Sequence, residues 1–204
     1  MNLLSKVDLG TQKIKWLVSE TSGKWLEQAV KHPIEILIDH AHCERKAAGA
    51  AIQLMFRYLS EPGLADVLSP LAREELEHFE LVLKLLHSRG EVLLPLPAPP
   101  YGSALVKQIR HEEPGRMLDS FLVSGLIEAR SHERMKLLAS YSPDIELRKL
   151  YKNLLTSEAR HFCLYWTLAK ERFPLDTITS RLNELAEIEA SIIAELHPHP
   201  RMHS

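Results

Sequence analysis

The chain is predicted to be all α, with four long helices arranged as two hairpins joined by one long crossover. Three features of the sequence carry that prediction. Apolar residues recur at helical spacing over most of the chain, and no run alternates apolar and polar residues as a half-buried strand would. Turn signals divide the periodic stretches into four arms of similar length. Between the second and third arms stands "EVLLPLPAPPYG", residues 91–102, whose closely spaced prolines exclude a helix.

Each element has its own local reason. The segment before Pro33, with Trp16 and Trp25, reads as short flanking helices over 1–32, packed on the outside of the bundle. Pro33 opens the first long helix, because a missing N–H costs nothing in a first turn. That helix runs to about Ser60, and "SEPG" turns the chain. The second runs from about Leu64 to Ser88 and is stopped by Gly90. The proline-rich connector follows, with a short helical piece near 103–111. The third long helix runs from about Gly115 to Ser140. "SPD", residues 142–144, makes the second hairpin turn, with Asp144 near a cap position. The fourth runs to about Arg172. A last helix, about 176–196, gathers Leu182, Leu185, Ile188, Ile192 and Leu196 on one face. The tail "HPHPRMHS", residues 197–204, reads as flexible, with weak adventitious metal binding as the alternative. Two helical hairpins joined by one long crossover are the plan of a ferritin-like bundle, here a single domain over 1–204 with additions at each end.

Composition bounds the function. At 204 residues, with 45% hydrophobic and 25% charged residues, the chain can bury a full core. A net charge of −2 gives no global field for nucleic acid and leaves only a local basic patch for that purpose. No apolar run is long enough to span a membrane, and the N-terminus lacks a signal core, so a soluble, cytoplasmic protein is expected. Cys43 and Cys163 sit in helical patterns without CxxC spacing and read as reduced thiols.

Two Glu-x-x-His pairs, Glu75/His78 and Glu158/His161, lie on apolar helix faces. With 21 Glu and 11 His, about one such pair is expected by chance, so the pairs alone decide little. Their arrangement decides more. If each hairpin holds a metal half-site, a further carboxylate should stand at the same height on the preceding helix. In a hairpin with equal arms, the midpoint of the two ligands falls in the turn. Glu44 and Glu75 centre beside the turn at 60–63, and Glu128 and Glu158 centre on residue 143 in "SPD". The rival Glu133 would leave one arm about five residues short, roughly 7 Å at ~1.5 Å per residue. Glu44 then Glu75/His78, and Glu128 then Glu158/His161, form an internal repeat with Glu-to-Glu spacings of 31 and 30.

Small residues beside the lone carboxylates, Ala41, Ala48 and Ala51 around Glu44, Ser124 and Gly125 around Glu128, leave room for a metal centre. Two divalent cations would balance four buried carboxylates, and the oxygen-rich set with one imidazole per metal suits iron or manganese over structural zinc. His40 and His132, each four residues from a lone glutamate, read as supporting donors or packed side chains. Tyr165 reads as a core aromatic, and Glu74, Glu77 and Glu80 as solvated charges.

The words "DHAHCERKAAGAA", "REELEHFELV", "EARSHERM" and "TSEARHF" resemble those of the bacterial MiaE family of tRNA-modifying hydroxylases, over nearly the whole chain. The resemblance implies a nonhaem diiron monooxygenase. Its ligands would be Glu44, Glu75, His78, Glu128, Glu158 and His161, holding two iron ions, with O2 as co-substrate. It implies hydroxylation of the isopentenyl group of 2-methylthio-N6-isopentenyladenosine at tRNA position 37. A ferritin- or rubrerythrin-like iron-binding or peroxide-handling protein is the alternative. The chain carries no flavin, nicotinamide or iron–sulfur motif, so an external electron donor is expected. The tRNA anticodon stem-loop would need a basic surface. Two clusters are candidates, Lys107, Arg110 and Arg116 at the crossover, and Arg130, Arg134 and Lys136 after Glu128, although such clusters are more often ordinary solvated faces. The apolar "VLLPLPAPP" can wall a substrate pocket or simply cover the bundle.

Overall fold

The computed structural model describes residues 16–203. Among them are seven helices and no strand: α1 (Gly23–Lys31), α2 (Pro33–Arg57), α3 (Leu64–Ser88), α4 (Pro100–Val106), α5 (Gly115–Tyr141), α6 (Ile145–Lys170) and α7 (Leu175–Ile192). α2 pairs with α3 and α5 with α6, and residues 91–99 carry the chain between the hairpins without regular structure. The ferritin-like bundle expected from the sequence is the fold observed.

The helix ends follow local chemistry. Pro33 occupies the first turn of α2. Gly63 precedes α3 at φ 71°, and Gly90 follows it at φ 75°, a left-handed conformation that favours glycine. Asp144 Oδ1 accepts the N–H groups of Glu146 and Leu147 at 2.9 and 3.1 Å, capping α6. α3 continues through Pro70, which cannot bond the Asp66 carbonyl. Asp66 is exposed, so the carbonyl left over there is not stranded in the core.

Several boundaries differ from the sequence reading. The short crossover helix lies at 100–106 and not 103–111, because Pro100 starts it in the first turn. α7 ends at Ile192, so Leu196 lies beyond it and is exposed. Trp16 and Trp25 are not on the outside; they are 4% and 1% exposed. The Trp25 ring lies under the Arg134 guanidinium at 4.5 Å. The tail also departs from expectation. Arg201, Met202 and His203 are buried, and Trp25 Nε1 donates to the Arg201 carbonyl at 2.9 Å.

The core is split in two. One apolar cluster joins the C-terminal part of α2, the N-terminal parts of α3 and α5, the C-terminal part of α6, and α7. The other joins α1, the N-terminal part of α2, the C-terminal parts of α3 and α5, the N-terminal part of α6, and Met202. Between them, at mid-height, lies a buried polar layer.

Gly125 does not make room for that layer. A Cβ built there would lie 2.3 Å from Trp16 Cη2, so the missing side chain is a notch for the indole. Gly125→Ala is expected to lower stability by about 1–3 kcal/mol through overpacking. Gly49→Ala, where a Cβ meets nothing within 4 Å, is expected to raise it by about 0.5–1 kcal/mol through helix propensity. Paired thermal melts check both signs.

Candidate metal centre

A glutamate and a histidine three apart on an α-helix stand on one face, about one turn from each other. α3 presents Glu75 and His78 this way and α6 presents Glu158 and His161. α2 and α5 each add one carboxylate, Glu44 and Glu128. All six are 5% exposed or less. The structure thus brings together every residue of the repeat found in the sequence.

The layer has approximate two-fold order. His78 Nδ1 lies 3.6 Å from Glu44, 3.8 Å from Glu75 and 3.5 Å from Glu158. His161 Nδ1 lies 2.6 Å from Glu75, 4.0 Å from Glu128 and 3.8 Å from Glu158. Glu75 and Glu158 therefore reach both histidines, while Glu44 and Glu128 each reach one. The two rings stack at 5.6 Å between centroids.

These atoms do not satisfy one another. Both Glu75 oxygens, Glu158 Oε1 and both Nδ1 atoms are buried without a well-formed hydrogen bond, and even the 2.6 Å His161–Glu75 contact is misaligned for one. Orphaned polar atoms in an interior cost free energy. Glu75, His78, Glu158 and His161 each offer a ligand atom within 4.8 Å of the others. Two ligands on one ion with bonds of about 2 Å stand roughly 3–3.5 Å apart. The separations are thus close to what a shared cation requires, and the donor set fits a pair of divalent transition-metal ions.

Without metal, protons balance the charge. Burial pushes the Glu75 carboxyl up to about 7, against the pull of the neighbouring His161 and His78 imidazoles. Burial, with Glu75 and Glu158 adding repulsion, raises Glu128 well above the carboxylate range. Burial also opposes charge on Glu44, but the bonded His40, with His78 and Glu75 close by, outweighs it and holds this carboxylate low. Burial disfavours the imidazolium of His78, yet Glu158, Glu44 and Glu75 push it up to about 12. For His161 the same contest, won by Glu74 and Glu75, ends at about 11.

The surroundings of the two halves differ. His40 Nε2 bonds Glu44, and its ring stacks on Tyr151 at 5.5 Å. His161 Nε2 meets Glu74 at 3.1 Å, and Arg160 pairs with the same carboxylate. A carboxylate behind a ligand imidazole fixes its orientation and raises its basicity. Glu74 is therefore not the solvated charge expected from its helix face; its partner belongs to another helix, which periodicity along α3 cannot reveal. Tyr151 is a second residue missed, and its place seven before Glu158 was the available signal. Tyr165 is a buried aromatic, and burial, then Glu128 and Glu75, push its phenol up. His132 packs edge-on against Phe162 at 5.7 Å. Glu77 and Glu80 are exposed.

Glu133 stands apart from the layer, accepting from the Thr21 N–H at 2.7 Å and from Arg130 at 2.7 Å. Of the basic candidates, Arg130 and Arg134 must be withdrawn. Arg130 is fully buried and grips Glu189 through two bonds of 2.8 and 2.9 Å. Arg134 is 1% exposed and bonds the Met202 carbonyl. Lys107 and Lys136 are exposed, Arg116 half-buried. Arg110 is half-exposed but already engaged with Asp119 at 2.7 Å. In the connector, Leu93 and Leu96 pack on the core and His42 Nε2 donates to the Leu94 carbonyl at 2.8 Å, so this segment covers the bundle.

The family model described as tRNA-(MS2IO6A)-hydroxylase (MiaE) matches residues 9–204. A Pseudomonas putida protein named tRNA 2-(methylsulfanyl)-N(6)-isopentenyladenosine(37) hydroxylase is 40% identical, over 83% of this chain and 79% of its own. A Salmonella typhimurium protein of the same name is 27% identical over 94% of this chain and 88% of its own. Among solved structures, a Synechococcus protein described as having aldehyde deformylating oxygenase activity is 63% identical. Its TM-score is 0.92, over 94% of this chain and 96% of that one.

Two outcomes follow from the geometry. Glu128→Ala is expected to abolish stoichiometric loading of a metal pair. Glu133→Ala should leave metal content unchanged while lowering stability through the broken Arg130 and Thr21 contacts; metal analysis beside thermal melts separates the two. The second outcome concerns pH. His78 and His161 have folded values raised above the usual 6.5, so their support of the metal-free fold is complete below that value and is lost as pH rises through about 11 to 12. Metal must displace those protons. Loading should release protons and tighten with rising pH, by roughly tenfold per pH unit for each proton released. Calorimetry in buffers of different ionisation enthalpy reads that release.

Proposed function

This chain belongs to the MiaE family of tRNA hydroxylases, and from that premise we propose that it hydroxylates the isopentenyl group of 2-methylthio-N6-isopentenyladenosine at tRNA position 37. The reaction is an O2-dependent monooxygenation at a nonhaem diiron centre. The observation that carries this reading is the buried layer of four carboxylates and two imidazoles, in which Glu75, His78, Glu158 and His161 keep ligand atoms without a hydrogen-bond partner and within reach of a shared ion. Glu44, Glu75, His78, Glu128, Glu158 and His161 are the proposed ligands, with Glu75 and Glu158 in the shared positions because each reaches both histidines.

When bound, the irons supply O2 activation. The balance is one oxygen atom inserted into a C–H bond and one released as water, with two electrons and two protons from outside. An external reductase or ferredoxin gives the electrons. This chain's residues orient and insulate. His40 fixes the Glu44 carboxylate, Glu74 fixes the His161 ring, and the apolar clusters above and below exclude water from the layer. The anticodon stem-loop docks through a local basic surface, for which Lys107, Arg116 and Lys136 remain, with Arg110 partly committed to Asp119. Such a substrate places the enzyme in the cytoplasm. No described helix is long and apolar enough to cross a membrane.

The comparisons favour this reading over a ferritin- or rubrerythrin-like role. A second reading has one observation behind it, the description of the 63% identical Synechococcus protein. On that reading the same centre removes the formyl carbon of an aldehyde. Nucleoside analysis of tRNA from a deletion strain tests the first. The hydroxylated nucleoside should vanish, its unhydroxylated precursor should accumulate, and the parent gene but not Glu158→Ala should restore it. Persistence of the hydroxylated nucleoside, together with shortening of an added aldehyde by the purified protein, would replace the first reading with the second.

A further inference from the structure

The two sides of the polar layer are closed differently. On the α3–α6 side stand the stacked rings of His78 and His161, with Glu74 and Arg160 behind them. The α2–α5 side carries the carboxylates of Glu44 and Glu128, with the buried His40 ring bonded to Glu44. That side is covered by residues 201–203. His203 Nδ1 lies 3.6 Å from the Sγ of Cys43, the neighbour of Glu44, and Nε2 lies 3.0 Å from the Oγ of Ser131, one turn beyond Glu128. The imidazole thus bridges α2 and α5 at the height of the proposed ligands. Its ring stacks on Tyr101 at 5.0 Å and 12°. Both ring nitrogens are engaged, so His203 is not a spare ligand.

The segment is held by hydrogen bonds, by the Arg201–Asp39 ion pair at 3.7 Å and by the burial of Met202. The Met202 N–H donates to Asp39 Oδ2 at 2.8 Å, and Arg134 bonds the Met202 carbonyl. Trp25 Nε1 holds the Arg201 carbonyl, and Arg201 Nε donates to the Pro97 carbonyl at 3.2 Å. Met202 is the one large apolar side chain of the three, and it is fully buried. The stretch thus buries a single apolar side chain, and lids are drawn from segments with few buried apolar contacts.

We propose that residues 201–203 are a latch over the α2–α5 side of the metal centre, closed in this structure and released when a substrate larger than O2 enters. The inference rests on the reading of the layer as a diiron centre. It gives the tail a task in the reaction, deciding what reaches the carboxylate side of the site.

The test locks and unlocks the latch in the full chain. In a Cys163→Ser background, His203→Cys places a thiol beside Cys43, and diamide joins the two. Met202→Glu does the opposite, since a carboxylate in that buried place, near Asp39, expels the segment. Iron content is measured first. A parent chain that binds no iron would sink the diiron reading itself. In iron-bearing proteins, a ferrous chelator should strip the disulfide-locked form at least tenfold more slowly than its reduced form, and Met202→Glu at least tenfold faster than the parent. The locked form should lose tRNA hydroxylation and regain it on reduction. Equal stripping rates in all forms, full tRNA hydroxylation by the locked form, or failure of the introduced thiol to pair with Cys43 would each overturn the latch while leaving the diiron reading in place.

Discussion

Four carboxylates and two imidazoles buried in one layer must be neutralised, and that need organises the bundle around it. Glu44, Glu75, Glu128 and Glu158 come from four different helices, so no single hairpin can balance them. An unpaired carboxylate in such an interior costs several kcal/mol. In the metal-free chain the charge is managed by protons, held on His78, His161 and the raised carboxyls of Glu75 and Glu128. Cations can take over that balance because the ligand atoms point toward common space, with distances of 3.5 to 4.0 Å between most of them.

The apolar clusters above and below serve the same layer. They keep water away and fix helix heights, which sets the vertical register of the six side chains. The supports on either side are unlike. One half has its carboxylate braced by a histidine, His40; the other has its histidine braced by a carboxylate, Glu74. The internal repeat is therefore a repeat of ligands and not of their surroundings, and the two half-sites are chemically inequivalent.

A second buried charge system lies beside the layer and holds the outer elements to it. Arg130 on α5 grips Glu189 on α7, which also accepts from the Tyr101 hydroxyl of α4 at 3.0 Å. Arg130 further bonds the Ser19 carbonyl at 3.0 Å, and the Tyr101 ring carries His203. The N-terminal segment, crossover, last helix and tail thus meet at one ion pair. Breaking such a pair from one side leaves an uncompensated charge, typically at a cost of about 3–5 kcal/mol. The arginines that resemble a nucleic-acid patch in the sequence are spent on this internal junction.

The sequence by itself determined the four arms, their turns and the heights of the six proposed ligands. Those features are local: helical period, proline and glycine at helix ends, an Asp cap, and a fixed rise per residue that equates distance along the chain with height in the bundle. Height alone separated Glu128 from Glu133. Only the tertiary structure decided what lies across from each side chain. It paired Glu74 with His161, buried Arg130 against Glu189, set Trp16 into the notch at Gly125, and folded a tail that reads as polar and flexible against Asp39 and Tyr101. Each of those contacts joins residues far apart in the chain or on different helices. Periodicity fixes the face a residue occupies on its own helix, but the lateral packing of helices selects its partner.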